Sequence, residues 1–99
     1  MVLRLYVAGD APNSTRARAN LRRLLNDVDP ARYQLEVIDC LAEPLRALGD
    51  GVLVTPTLMR VQPEPSQTVV GTLSALDRVA DALEIDDITL RQGGEAIDE

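Results

Sequence analysis

The side chains that most often carry out chemistry in proteins are scarce in this sequence. It contains no histidine, and Cys40 is its only cysteine. Without histidine, the commonest general base and metal ligand is missing, and Ser–His or Cys–His nucleophile pairs cannot form. A single cysteine also excludes an internal disulfide and a cysteine-rich zinc site. We therefore predict a protein that is not an enzyme and needs no cofactor.

Cys40 is the basis of the one enzymatic alternative, a one-cysteine thiol reductase or peroxidase. That activity requires an exposed thiol whose pKa is lowered by its surroundings. Cys40 instead closely follows the apolar residues Val37 and Ile38, at the end of a predicted strand. Free cysteines are among the most buried residue types, so we predict a buried thiol with no catalytic role.

The charged residues are unevenly distributed along a chain whose net charge is −6. From Glu84 onward there are six acidic residues and one arginine, a net of −5. Such a segment repels nucleic acid and anionic membranes, and we expect neither as a partner. Two interpretations of an arginine cluster in the first third remain open, a solvated helix face and a docking surface for an acidic partner protein. The cluster consists of Arg16, Arg18, Arg22 and Arg23.

The length and hydropathy of the chain indicate a small globular protein. Its 99 residues suit one domain, which we place at residues 1–86, followed by an acidic, flexible tail at residues 87–99. The sequence lacks the run of roughly 20 apolar residues that spans a bilayer, and it lacks the pattern of a secretory signal. We therefore expect a cytoplasmic protein.

Hydrophobic periodicity predicts the elements of the N-terminal half. Val2–Ala8 is apolar on both alternations apart from Arg4, which indicates a strand covered on both faces. A helix follows, which we expect Asn13 or Ser14 to cap and Asp29–Pro30 to end. Tyr33–Asp39 alternates and predicts a second strand, at an edge of the sheet. The helix has one apolar stripe, formed by Ala17, Leu21, Leu24, Leu25 and Val28.

Turn residues divide the C-terminal half into shorter elements. A short helix is predicted from Glu43–Pro44 to about Leu48, because proline is tolerated in a first helical turn. Thr55–Pro56 should begin a strand that runs to Val61. A turn with Pro63 and Pro65 then leads to a short last strand, Gln67–Gly71, in a hairpin. The final helix should begin near Ser74, with Asp77 in an arrangement like a capping box and with a buried stripe. That stripe consists of Leu76, Val79, Ala80 and Leu83.

The predicted order, β-α-β-α-β-β-α, is that of an α/β protein with the thioredoxin-like fold. In redox-active members of that fold, the loop after the first strand carries a Cys-x-x-Cys dithiol. Here the segment AGDAPNSTRA has Ala11, Pro12, Asn13 and Ser14 at those four positions, without sulfur. We interpret the loop as part of a protein-binding scaffold. Pro56 precedes the third strand, where the fold usually has a cis proline.

Four blocks of the sequence resemble the KaiB family of bacterial circadian-clock proteins. They occur in the family's order and spacing, and the likeness extends over roughly residues 3–85. The blocks are LYVAGDAPNS (Leu5–Ser14), VIDCLAEP (Val37–Pro44), VTPTLMRV (Val54–Val61) and VVGTLS (Val69–Ser74).

The resemblance implies a non-catalytic clock or timing protein. It implies binding to a KaiC-type hexameric ATPase, modulation of that ATPase's phosphorylation or ATPase cycle, and an effect on output signalling. A sensor histidine kinase with a KaiB-like domain is implied as a second partner, and a dimer or tetramer as the free form. The alternative is a redox-inactive thioredoxin-like adaptor for another signalling kinase or ATPase.

The resemblance also supplies the candidate site residues. Pro56, Pro63 and Pro65 are assigned to a fold switch, since family members are metamorphic and these prolines lie in the half that an alternative C-terminal fold would remodel. Pro63 and Pro65 are equally well explained as ordinary turn prolines. Partner binding is assigned to Arg22, Arg23, Gln34, Glu36, Arg46, Asp50 and Gly51.

The chain departs from cyanobacterial members of the family at two positions that bear on this switch. It has Ala82 where they tend to have glycine, and Asp87 where they tend to have an aromatic residue. Alanine favours a helix interior over glycine by about 0.5–1 kcal/mol. We therefore predict that the thioredoxin-like state is more populated in this chain than in those relatives.

Overall fold

A four-stranded mixed sheet organises the computed structural model, which describes residues 1–84. The central strand β1 (Val2–Val7) pairs in parallel with β2 (Gln34–Asp39) and antiparallel with β3 (Thr57–Gln62). Strand β4 (Gln67–Val70) pairs antiparallel with β3. The order β2-β1-β3-β4 leaves β2 at an edge, as its sequence pattern predicted.

Within residues 1–84, three α-helices connect and cover these strands. They are α1 (Pro12–Leu25), α2 (Pro44–Gly49) and α3 (Leu76–Ala82), and a 3₁₀ turn at Pro30–Arg32 precedes β2. Apart from that turn, the order of elements is the predicted thioredoxin-like β-α-β-α-β-β-α. Within residues 1–84, no helix combines the length and the apolar character needed to cross a bilayer.

Strand β1 contributes side chains to two apolar layers, one on each face of the sheet. Leu3, Leu5 and Val7 pack with α1 and α3, while Tyr6 packs with Ile38 and Ala47 of α2 on the opposite face. This division follows from the period of two in a strand. The predicted stripe is buried as expected: Ala17, Leu21, Leu24 and Leu25 lie on α1, and Val28 lies just after its end.

The prediction that Asn13 or Ser14 caps α1 is wrong. The helix begins at Pro12, a residue suited to the first helical position, and its N-cap is Ala11 without a side-chain hydrogen bond. Ser14 is buried, and its hydroxyl oxygen accepts a hydrogen bond from the Ala8 amide at 3.0 Å. It thus satisfies a backbone donor of the preceding loop.

The start and stop residues of two helices also differ from prediction. Helix α1 ends at Leu25, before Asp29–Pro30, and the Asp29 carboxylate instead caps the 3₁₀ turn. Helix α3 begins at Leu76, with Ala75 as its N-cap and no side-chain cap. Short polar residues make local hydrogen bonds in several conformations, so their presence near a helix end does not fix that end.

Ala82 is the last residue of α3, so the prediction that placed it in a helix interior is wrong. Near this end, the buried Arg60 donates hydrogen bonds to the carbonyl oxygens of Leu83 and Pro65 and joins α3 to the β3–β4 turn. Asp87, the domain limit at residue 86 and the predicted tail at 87–99 lie outside the described residues.

Candidate functional site

Three of the predicted partner-binding residues form one ionic cluster on the α2 side of the sheet. Both terminal nitrogens of Arg46 donate to the two carboxylate oxygens of Glu36, each at 2.7 Å. The Nε atom of Arg46 lies 3.8 Å from the Asp50 carboxylate. Such a two-pronged arginine–carboxylate pair fixes orientation as well as charge. The cluster therefore joins β2 to the end of α2.

Sequence reasoning missed three members of this cluster, Arg4, Tyr6 and Glu43. Arg4 lies 3.8 Å from Glu36 and 3.7 Å from Asp50. Glu43 lies 3.8 Å from Arg46, three residues along the chain. The Tyr6 hydroxyl donates to Asp50 at 2.8 Å. The alternation of β1 could have identified Arg4 and Tyr6 as members, since both point to the face opposite Leu3, Leu5 and Val7.

The ionisation of the cluster follows from these contacts. Hydrogen bonds from Arg46 lower the pKa of Glu36, and Glu36 in turn raises the pKa of Arg46. Burial, followed by the hydrogen bond to Asp50, raises the pKa of Tyr6. Glu36 and Arg46 are therefore both charged at neutral pH, and Tyr6 keeps its proton as a hydrogen-bond donor.

A large apolar surface lies beside the cluster, on the segment from β2 to β3. Leu45 and Leu53 are 82% and 84% exposed, and Leu48 lies one turn after Leu45 on α2. Leu48, Leu53 and Val54 line a shallow depression of about 480 Å³ together with Pro44. Leucines so exposed have no packing role in the described chain. We call the following set the α2 face: Leu41, Leu45, Leu48, Leu53 and Val54.

Asp39 connects the loop after β1 to the loop after β2, where the α2 face begins. One of its carboxylate oxygens accepts hydrogen bonds from the Gly9 and Leu41 amides, both at 3.0 Å. These two amides lower the pKa of Asp39, the Leu41 amide most strongly. A Cβ atom added to Gly9 would lie 3.3 Å from Leu41, and the φ of Gly9 is +50°. Glycine thus allows the first loop to pass beneath Leu41.

The remaining predicted residues are separated by the sheet. Gln34 is exposed on β2, on the same alternation as Glu36, and Gly51 follows Asp50 with a φ of +81°. Arg22 and Arg23 are exposed in the last turn of α1, on the opposite face of the sheet. There Arg22 borders an apolar groove of about 470 Å³ between α1 and β2. The seven residues therefore belong to two surfaces.

Cys40 is only partly buried, so the prediction of a buried core thiol is wrong. It borders the depression beside Leu48 and packs against the apolar layer formed by Tyr6, Ile38 and Ala47. Burial and, secondarily, the charge of Asp39 raise the pKa of its thiol. A raised pKa reduces the thiolate fraction that a nucleophile requires.

The three prolines assigned to the fold switch follow cis peptide bonds, including the Thr55–Pro56 bond at the position where the fold usually has one. Pro56 is buried before β3, whereas Pro63 and Pro65 are exposed in the β3–β4 turn. Their role in a switch stays a prediction.

The described residues thus combine an exposed apolar face, an ionic rim and a thioredoxin-like scaffold without the dithiol. Among residues 1–84, no group of three or more acidic, cysteine or histidine side chains is arranged to hold a metal ion. The KaiB-domain family model matches residues 4–85. The chain belongs to the KaiB family, which is regulatory and non-catalytic.

Named relatives agree with this assignment. The chain is 43% identical over 84 residues to the circadian clock oscillator protein KaiB of Rippkaea orientalis, covering 85% of this chain and 81% of that protein. The same identity and shares apply to KaiB of Nostoc punctiforme. The solution structure of the N-terminal domain of Synechococcus elongatus SasA is similar in fold, with a TM-score of 0.67. It is 21% identical and the match covers 87% of this chain and 85% of that domain.

Proposed function

We propose that this chain is a clock or timing protein that binds a KaiC-type hexameric ATPase through the α2 face and so modulates its phosphorylation or ATPase cycle. The main support is the exposure of five large apolar side chains in residues 41–54, beside the ionic cluster. Contiguous exposed apolar surface with a polar border is typical of protein-interaction sites. Membership of a clock-protein family supports an ATPase of this kind as the partner.

The proposal is tested by size-exclusion chromatography and titration with the KaiC-type ATPase of the same organism in the presence of nucleotide. We expect the wild-type chain to co-elute with the hexamer. Leu53→Ser should weaken binding by about tenfold or more, because apolar anchors at an interface centre dominate binding free energy. Addition of the wild-type chain should also change the phosphorylation time course of the ATPase.

Val70→Ser is the matched control, since Val70 is a large exposed apolar residue on the edge strand β4 and outside the α2 face. It should bind as the wild type does. Equal weakening of ATPase binding by both variants would show that the α2 face is not the docking surface. Absence of any co-elution, with capture of a different kinase or ATPase from the lysate, would favour the adaptor alternative.

We also propose that the chain can adopt an alternative C-terminal fold in which Pro56, Pro63 and Pro65 are rearranged, and that its free form is a dimer or tetramer. Two folds of one sequence interconvert only when their free energies differ by a few kcal/mol. Family membership supports the proposal. NMR spectra of the free protein should show a second set of signals beyond about residue 50; one set over the whole chain, at several temperatures, would contradict it.

A further inference from the structure

The ionic cluster beside the α2 face is not balanced in charge. Among residues 1–84 it contains two guanidinium groups, of Arg4 and Arg46, and three carboxylates, of Glu36, Glu43 and Asp50. The cluster therefore carries a net charge of −1, which follows from two positive and three negative groups. A protein that docks on the adjacent apolar residues must approach this excess negative charge.

Glu36 and Glu43 are the most exposed charged side chains of the cluster, whereas Asp50 is the least exposed, at 26%. The side chains of Arg4 and Arg46 are 31% and 33% exposed, whereas those of Glu36 and Glu43 are 50% and 51% exposed. The hydrogen-bond donors of Arg46 already face Glu36 and Asp50. The charge that a partner meets is therefore that of the glutamates.

Glu43 is the glutamate closest in sequence to the apolar surface. It immediately precedes α2, Pro44 next to it lines the depression, and Leu45 and Leu48 follow on the helix. Its contact with Arg46 is a 3.8 Å ion pair, in contrast to the two 2.7 Å hydrogen bonds of Glu36. Glu43 thus retains acceptor capacity for a second cation.

A partner that covers the α2 face removes water from around these carboxylates. Burial of a carboxylate without a compensating group is unfavourable, and so is the placement of like charges together at an interface. We infer that the α2 face selects a partner whose contact surface is apolar at its centre and carries an arginine or lysine at its edge, with Glu43 as the principal selecting residue and Glu36 supporting it. The inference rests on the proposed function because it concerns the same surface.

Charge selection can be measured without the natural partner, by titrating the chain with two amphipathic helical peptides of equal length. They share their leucines, and one carries arginine where the other carries glutamate. We expect the arginine peptide, and not the glutamate peptide, to shift the NMR signals of residues 41–54 in the wild-type chain. Glu43→Lys should remove this preference. Equal shifts by both peptides would overturn the inference.

The same variants are then measured against the KaiC-type ATPase. Glu43→Lys should weaken binding by about tenfold, mainly through slower association, and the difference should shrink at high salt because exposed charges are screened. Asp27→Lys is the matched control: it makes the same change of net charge at an exposed residue after α1, and it should bind as the wild type does.

The outcomes distinguish the two proposals. If Leu53→Ser weakens ATPase binding while Glu43→Lys binds as tightly as the wild type, the selection inference is wrong and the docking surface stands. If the wild type does not bind the ATPase but prefers the arginine peptide at residues 41–54, the selection inference stands and the choice of ATPase is wrong. Equal weakening by Glu43→Lys and Asp27→Lys would show an effect of overall charge and overturn the inference.

Discussion

Tyr6 joins the central strand of the sheet to the loop after α2 through the hydrogen bond from its hydroxyl to Asp50. Its pKa is raised in the folded chain by burial and by that carboxylate. The folded chain therefore retains a proton that the unfolded chain releases near pH 10. The corresponding stabilisation is complete below about pH 10 and is lost as pH rises through the raised pKa of the folded state.

Tyr6→Phe should abolish this alkaline loss of stability. We expect urea unfolding between about pH 8 and pH 11 to show a declining free energy of unfolding for the wild type and a flatter profile for the variant. Tyr33→Phe, at the other tyrosine, should retain the wild-type decline. The same slope in wild type and Tyr6→Phe would mean that the Tyr6–Asp50 hydrogen bond does not control the titration.

Arg60 is a second residue whose role is defined by its buried contacts. Arg60→Met removes the donors to the carbonyl oxygens of Leu83 and Pro65, and an unsatisfied buried polar group costs about 1–3 kcal/mol. We expect a loss of that size in the free energy of unfolding, measured by urea denaturation. Arg78→Met, at an exposed arginine of α3, should change it by less than about 0.5 kcal/mol. Equal losses would contradict the assigned role.

At the scale of elements, the start of α1 is held to the preceding loop by the hydrogen bond from the Ala8 amide to the Ser14 hydroxyl oxygen. Ser14→Ala leaves the partly buried Ala8 amide without its acceptor and should destabilise the chain by about 1 kcal/mol. Asn13→Ala is the neighbouring control, since Asn13 is exposed and caps nothing, and it should be close to neutral. Thermal unfolding of both variants checks the pair; a larger loss for Asn13→Ala would restore the predicted cap.

Periodicity was sufficient to predict the elements, because apolar spacing reports directly on which face is buried. It predicted the order of strands and helices, the stripe of α1 and the edge position of β2. It did not predict the N-cap of α1 or the start of α3, because these depend on which local hydrogen bond Ser14 and Ala75 make in three dimensions. The ionic cluster was only half predicted, since Arg4 meets Glu36 through a parallel pairing that brings distant residues together.

At the scale of the whole molecule, the sheet separates the predicted partner-binding residues into two surfaces. Arg22→Gln/Arg23→Gln alters only the α1 side, and substitutions at distant sites without shared contacts are nearly additive. We therefore expect this double variant to bind the KaiC-type ATPase within about twofold of the wild type, as measured by titration. A loss of affinity comparable to that of Leu53→Ser would mean that Arg22 and Arg23 belong to the same interface as Glu36.

Strand β1 belongs to both apolar layers, but the layers differ greatly in size. Among residues 1–84, the layer beneath α1 and α3 contains thirteen buried residues, whereas the layer beneath α2 contains three. Local opening is easiest where few buried contacts hold an element, so amide hydrogens of α2 should exchange through a partial opening that leaves β1 intact. A ligand that binds only the closed form suppresses such opening by mass action. Docking on the α2 face would thus be coupled to the local order of the helix that forms it, and part of the binding free energy would appear as slowed exchange in α2.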